Sequence, residues 1–169
     1  MGVDFLRRLG LVILTLAFLL GGCACAEKSY FSFRELDFEA EVTGALYGVE
    51  FCAVVSLQTE GDGCVRRVDY AGDGVLSGLS VVERAGGDAV LTREGMQFSC
   101  GAEELSGLLS PIGLLLSDGE LESVRRVGEE TLLNLADGTS ITLTKEGVPR
   151  EVSNGDVSFC VIKWNAETA

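Results

Sequence analysis

The chain of 169 residues contains no histidine. That excludes a histidine general base, the Ser-His and Cys-His nucleophile pairs, and any zinc site with an imidazole ligand. Proline is nearly absent too, with Pro111 and Pro149 the only two, against 22 glycines. Such a ratio fits many tight turns between short strands. Positive charge is scarce, 13 basic against 26 acidic residues. A surface of that sign repels phosphate backbones and anionic headgroups, so no nucleic-acid partner is expected. None of the six cysteines forms a Cys-x-x-Cys pair, which removes the zinc-ribbon reading. No metal and no cofactor are expected.

The first residues have their own pattern. Arg7-Arg8 form a short basic start, Leu9–Leu20 is an uncharged apolar run, and Gly21-Gly22-Cys23 follows. That is the three-part plan of a secretory signal peptide. Leu20-Gly21-Gly22-Cys23 also resembles the bacterial lipobox, in which the cysteine takes a diacylglyceryl group and becomes the mature N-terminus. The expectation is a signal peptide over 1–22, a lipidated N-terminus and tether over 23–33, and a β domain over 34–165. Cys23 would carry the lipid (palmitate-type) anchor and hold the domain on the extracytoplasmic face of the cell membrane. Leu9–Ala26, 18 uncharged residues, is at the lower limit for a retained transmembrane helix, and simple secretion is the third reading. Removal of Met1–Gly22 leaves 11 basic and 25 acidic residues, a net charge of −14.

Beyond the tether the sequence reads as strands. Leu36–Thr43 alternates apolar at even and polar at odd positions, the period of a strand with one wet face. Gly44–Gly48 is read as a turn into Val49–Thr59. Further strands are expected at Cys64–Tyr70, Leu79–Arg84, Ala89–Arg93, Met96–Cys100, Glu120–Val127, Thr131–Leu135, Ser140–Thr144, Val148–Val152 and Val157–Trp164. Asn154-Gly155 is the strongest hairpin signal and is read as pairing Val152 with Val157. Between the sixth and seventh strands the period changes. Leu105, Leu108, Leu109, Ile112, Leu115 and Leu116 are spaced as on one side of a helix, with Ser110-Pro111 as a candidate N-cap and N1 pair. Two short helical turns, or one kinked helix, are predicted over Ala102–Leu116. The fold class is mainly β: an antiparallel half-open barrel of ten to eleven strands with a helical plug or lid.

Chemistry is sparse. Serines and threonines lack a base. Gly72-x-Gly74-x-x-x-Gly78 runs into β-type Leu79-Ser80-Val81-Val82, whereas a phosphate loop opens a helix. No catalytic residue is assigned and no enzyme is expected. Cys52, Cys64, Cys100 and Cys160 allow three disulfide pairings in an exported domain, but we read them as unpaired core residues. The leucine-rich segment either caps the core or lids an apolar cavity.

Val68-Asp69-Tyr70, Leu76-Ser77-Gly78-Leu79-Ser80-Val81, Met96-Gln97-Phe98 before a helix, Ile141–Thr144 and Gly147–Val152 occur in this order behind the lipobox. The arrangement resembles uncharacterised lipoproteins of clostridia-type Firmicutes, and through them the LolA/LolB/RseB-like lipoprotein-carrier fold. The resemblance covers about Phe33 to Trp164. It implies a half-open barrel whose cavity takes a hydrophobic small molecule or acyl chain, as carrier or sensor, with the six lid residues lining it. The alternative is a protein-interaction module of the envelope with a filled core and a protein partner.

Overall fold

The computed structural model describes residues 30–167, so Cys23, the signal peptide and most of the tether lie outside the described residues. From Phe33 onward the chain forms one unit. Its eleven strands are β1 (Asp37–Leu46), β2 (Val49–Glu60), β3 (Gly63–Ala71), β4 (Leu79–Glu83), β5 (Asp88–Arg93), β6 (Met96–Gly101), β7 (Leu121–Val127), β8 (Glu130–Leu135), β9 (Ser140–Leu143), β10 (Pro149–Asn154) and β11 (Val157–Glu167). They make one antiparallel sheet in the order β6-β5-β4-β3-β2-β1-β11-β10-β9-β8-β7. The ends of that order do not pair with each other, so the sheet stays open, as the half-barrel reading expects.

Alternation decides which face is inside. In β1 the buried Phe38, Ala40 and Val42 alternate with the exposed Glu39 and Glu41. Phe51, Ala53, Val55 and Leu57 do the same in β2, and Val152, Val157 and Phe159 continue the inner face across β10 and β11. Aromatic rings tie this face together. Phe38 stacks on Trp164 at 4.5 Å, and Phe51 meets Tyr70 and Phe159 edge-on at 5.7 and 6.5 Å. Each fully buried side chain of this size stabilises the fold by roughly 1.5–3 kcal/mol relative to an exposed one.

The helix over the sheet is a 3-10 turn, Ala102–Leu105, running directly into an α-helix, α1 (Ser106–Leu115). Pro111 lies inside α1 and does not begin a new helix. Ser110 does not cap either; its Oγ donates to the carbonyl of Ser106 at 3.0 Å. A helix-interior proline costs about 3 kcal/mol. Here that cost is offset by burial of the proline itself with Ile112 and Leu115.

Several sequence expectations are corrected. Gly44 is a strand residue, and the β1–β2 turn is Tyr47-Gly48 alone, closed by Leu46 opposite Val49. A Cβ at Gly44 would overlap the Ser158 carbonyl oxygen, so glycine is there to let β11 approach. In the last hairpin Asn154 pairs with Val157 and Val152 with Phe159. Asn154 remains in its strand because its amide donates to Thr139 Oγ1 at 3.0 Å and to the Asp137 carbonyl at 3.3 Å. Gly155, at φ 52°, supplies the left-handed turn position that the hairpin needs. Phe33, assigned to the tether, is buried and edge-on to Trp164 at 6.1 Å. The four cysteines from Cys52 onward are unpaired, but Cys52, Cys64 and Cys160 point to solvent instead of the core. Cys52 and Cys160 occupy the outward phase, flanking Thr43 on the outer face and each opposite it in the ladder, whereas Cys64 shares the phase of the buried Val68 and Tyr70 but lies at the exposed start of β3.

Candidate functional site

The six residues predicted as one lining separate into two groups. Leu109, Ile112 and Leu115 turn onto the sheet and are 6%, 0% and 0% exposed. Leu105, Leu108 and Leu116 are half-buried. The helix therefore packs on the concave face with its own side chains, and Leu109, Ile112 and Leu115 are core. Two polar contacts fix it there. Tyr70 Oη donates to the Leu108 carbonyl at 2.7 Å, and Arg34 Nε donates to the Leu115 carbonyl at 3.1 Å. Burial raises the Tyr70 pKa above its usual value, so the hydroxyl keeps its proton and remains a donor. Burial lowers Arg34 to about 10, against the opposing pull of Asp118 and Asp137. It is still cationic at neutral pH and sits where the helix carbonyls gather negative charge.

Leu105 and Leu108 face elsewhere. With Leu46, Tyr47, Val49 and Leu76 they line an apolar groove of about 280 Å³ between the β1–β2 turn, the β3–β4 loop and the start of the helix, with Glu104 at its lip. Tyr47 is its most unusual wall. The residue has φ 51° and is 61% exposed, a conformation that bulky side chains seldom adopt. The reason is the turn: a two-residue hairpin loop that matches the strand twist needs positive φ at both positions, and Gly48 supplies the second at 79°. The Tyr47 N–H donates to the Asp156 carbonyl at 2.8 Å, which fastens the β1–β2 turn to the β10–β11 turn. A methyl placed on Gly107 would meet Tyr47 Cε2 at 3.6 Å, so the ring lies against the helix over a residue with no side chain.

Sequence reasoning missed Tyr47. The signal was available: an aromatic and a glycine filling a two-residue loop place the aromatic at a left-handed, solvent-facing position. Glu104, exposed, is the one charged residue in the lining of the groove. A larger hollow, about 570 Å³, opens between the outer face of β1–β2 and the β3–β4 loop. Gly44, Gly72, Gly74, Ser77 and Ser158 line much of it, so it offers mainly backbone and small side chains. Ser77 Oγ bonds the Gly72 carbonyl and holds that loop closed on itself.

No protein-family model and no curated protein matches the chain. Among solved structures it is similar to an uncharacterised conserved protein from Thermus thermophilus, with a TM-score of 0.53 at 13% identity, over 87% of this chain and 89% of that one. It is also similar to MucB, at a TM-score of 0.48 and 18% identity over 85% of this chain and 60% of MucB. The Pseudomonas aeruginosa MucA/MucB complex gives 0.45 and 15%, over 85% and 56%. At these identities the likeness is one of fold, and the chain spans about 60% of the MucB chain.

Proposed function

We propose that the chain is an exported lipoprotein of the cell envelope, lipidated at Cys23, whose β domain is a non-enzymatic docking module for a protein partner. The observation that carries this reading is the division of the leucine segment. Leu109, Ile112 and Leu115 fill the concavity where a lidded carrier would keep its cargo, while Leu105 and Leu108 join Tyr47 in a groove open to solvent. At about 280 Å³ the groove is at the lower limit of small-molecule sites, the size for an inserted side chain and too small for a phospholipid. Glu104 at its lip favours an apolar anchor with a basic residue beside it. The groove lies beyond Leu46, ten residues of extended strand from Asp37, about 30 Å from where the domain begins. A partner is thus engaged at the end of the sheet opposite the tether's point of entry.

The hydrophobic-ligand reading keeps one specific support, the apolar lining itself, in a narrower form: the end of an acyl chain inserted beside Tyr47. One experiment separates the two. A photo-crosslinking residue at Tyr47, in the full chain in its native membrane, is expected to yield a discrete protein adduct, with none from the same residue at exposed Glu129. An adduct of lipid mass alone would replace the protein partner by the acyl chain, and no adduct would sink both readings. Anchoring is tested separately: a clickable palmitate analogue is expected to label the chain, and Cys23→Ser to abolish the label.

A further inference from the structure

Two strands, β6 and β7, have a single pairing partner among the described residues. They are built differently. β7 carries a bulge between Leu121 and Ser123 and presents Glu122, Arg125 and Arg126. Bends and charges of this kind are how an edge strand refuses a further neighbour. β6, Met-Gln-Phe-Ser-Cys-Gly, has no charge, no proline and an unbroken register with β5. Its Met96 and Phe98 are 56% and 58% exposed. Both share a face with Cys100, which is opposite the buried Ala89, so they extend the inner face of the sheet past the end of the helix.

We propose that β6 is a dimerisation strand, adding antiparallel to β6 of a second copy of this chain. The β5–β6 hairpin closes at Arg93 opposite Met96 around Glu94-Gly95. In such a ladder alternate residues face the partner, so Met96, Phe98 and Cys100 turn their main-chain groups to β5, and Gln97, Ser99 and Gly101 turn theirs outward. A two-fold axis at Phe98 pairs Gln97 with Ser99 of the second copy and uses those outward groups. It also sets Phe98 against its counterpart and Met96 against Cys100 of the second copy. The contact is its own complement, as a two-fold interface must be. Charge selects this occupant. Each copy carries a net charge of −13, so a second copy is best accepted along a seam without charge, and the six residues of β6 carry none. The exposed Glu94, Glu103 and Glu104 lie just beyond the two ends of β6, so the repulsion between copies acts at the ends of the seam and not along it. The same operation on β7 would set arginine against arginine.

Because self-repulsion opposes the dimer, its association tightens as salt rises, the reverse of an interface held by ion pairs. Sedimentation equilibrium of the full chain in detergent is expected to show a monomer–dimer equilibrium that shifts to dimer from low to high salt. Phe98→Glu, at a position already exposed, weakens association roughly tenfold or more. Gln97→Pro removes one outward N–H and does the same, and circular dichroism confirms that both variants stay folded. Register is read by cysteine: in a background of Cys25→Ser, Cys52→Ser, Cys64→Ser and Cys160→Ser, Met96→Cys forms an interchain disulfide that Cys100→Ser abolishes. The proposal is overturned by a monomer at every salt concentration, by a dimer indifferent to both β6 variants, or by a crosslink that survives Cys100→Ser. A monomer that takes another protein's strand on β6 overturns it as well.

Discussion

The two sides of one short helix do different work. Toward the sheet, Leu109, Ile112 and Leu115 are sealed against the strands; toward the β1–β2 turn, Leu105 and Leu108 stay half-open beside an exposed tyrosine. The residue type is nearly the same on both sides. What differs is the surface opposite: a continuous apolar sheet face in one direction, a two-residue turn and a loop in the other. A leucine stripe therefore states that something apolar is met, and the topology decides whether that is core or site.

The largest break in this comparison comes from the sheet side. Ile112→Ala is expected to cost about 2–5 kcal/mol in urea unfolding, because the surrounding strands cannot collapse into the space. Leu105→Ala, half-buried, is expected to cost under about 1 kcal/mol on the same measurement. Equal losses would erase the distinction. Next comes the bond that holds the helix in place. Tyr70→Phe leaves the Leu108 carbonyl without its donor and is expected to lower stability by about 1–2 kcal/mol, with strand content unchanged by circular dichroism. Tyr47→Asn sharpens the comparison from the other side. Asparagine tolerates positive φ, so unfolding should shift by no more than about 0.5 kcal/mol, while a crosslinking residue moved to Val49 in the same groove no longer captures the partner. A retained partner would remove Tyr47 from the site.

The smallest effect is electrostatic and distant from both sides. Ser117 donates to Asp137 Oδ2 at 2.5 Å and the Thr139 N–H to Oδ1 at 2.8 Å, and these bonds hold the carboxyl below its ordinary 3.8. A depressed carboxylate stabilises the fold fully above the unfolded value and progressively less as pH falls from about 3.8 through the lower folded one. Asp137→Asn should therefore lower stability at neutral pH and flatten the acid limb below about pH 4, so that the variant and wild-type profiles converge at low pH. A wild-type acid limb in the variant would assign that slope to other carboxylates.

Much of the fold was legible because period-two alternation is a local property. Phe38, Ala40 and Val42 declare a strand without reference to any other segment, and all eleven strands and the helical interruption are where that reading places them, within a few residues. The site was less legible because it depends on what is opposite. Leu105 and Ile112 read alike until β1–β2 is known to end beside one and β10 to pass beneath the other. The same limit explains the cysteines. Cys52 and Cys160 are strand residues, as expected, but burial depends on phase: Cys52 lies between the inward Phe51 and Ala53, and the irregularity opposite Glu41 and Val42 puts Cys160 out of phase with Trp164. Asn154-Gly155 misled for a related reason, since Asn154 is engaged by Thr139, fifteen residues earlier.

The position of β1 has a consequence in time. Of the described strands it is the first made, yet its second neighbour is the last of them: Lys163 on β11 reaches Glu41 across 122 residues of sequence. Until β11 emerges, β1–β6 and β7–β10 are two separate half-sheets, each with a raw inner edge, at β1 and at β10. β11 is the strand that joins their ladders, so before it arrives only the helix, which packs on β3 and on β10, links the two halves.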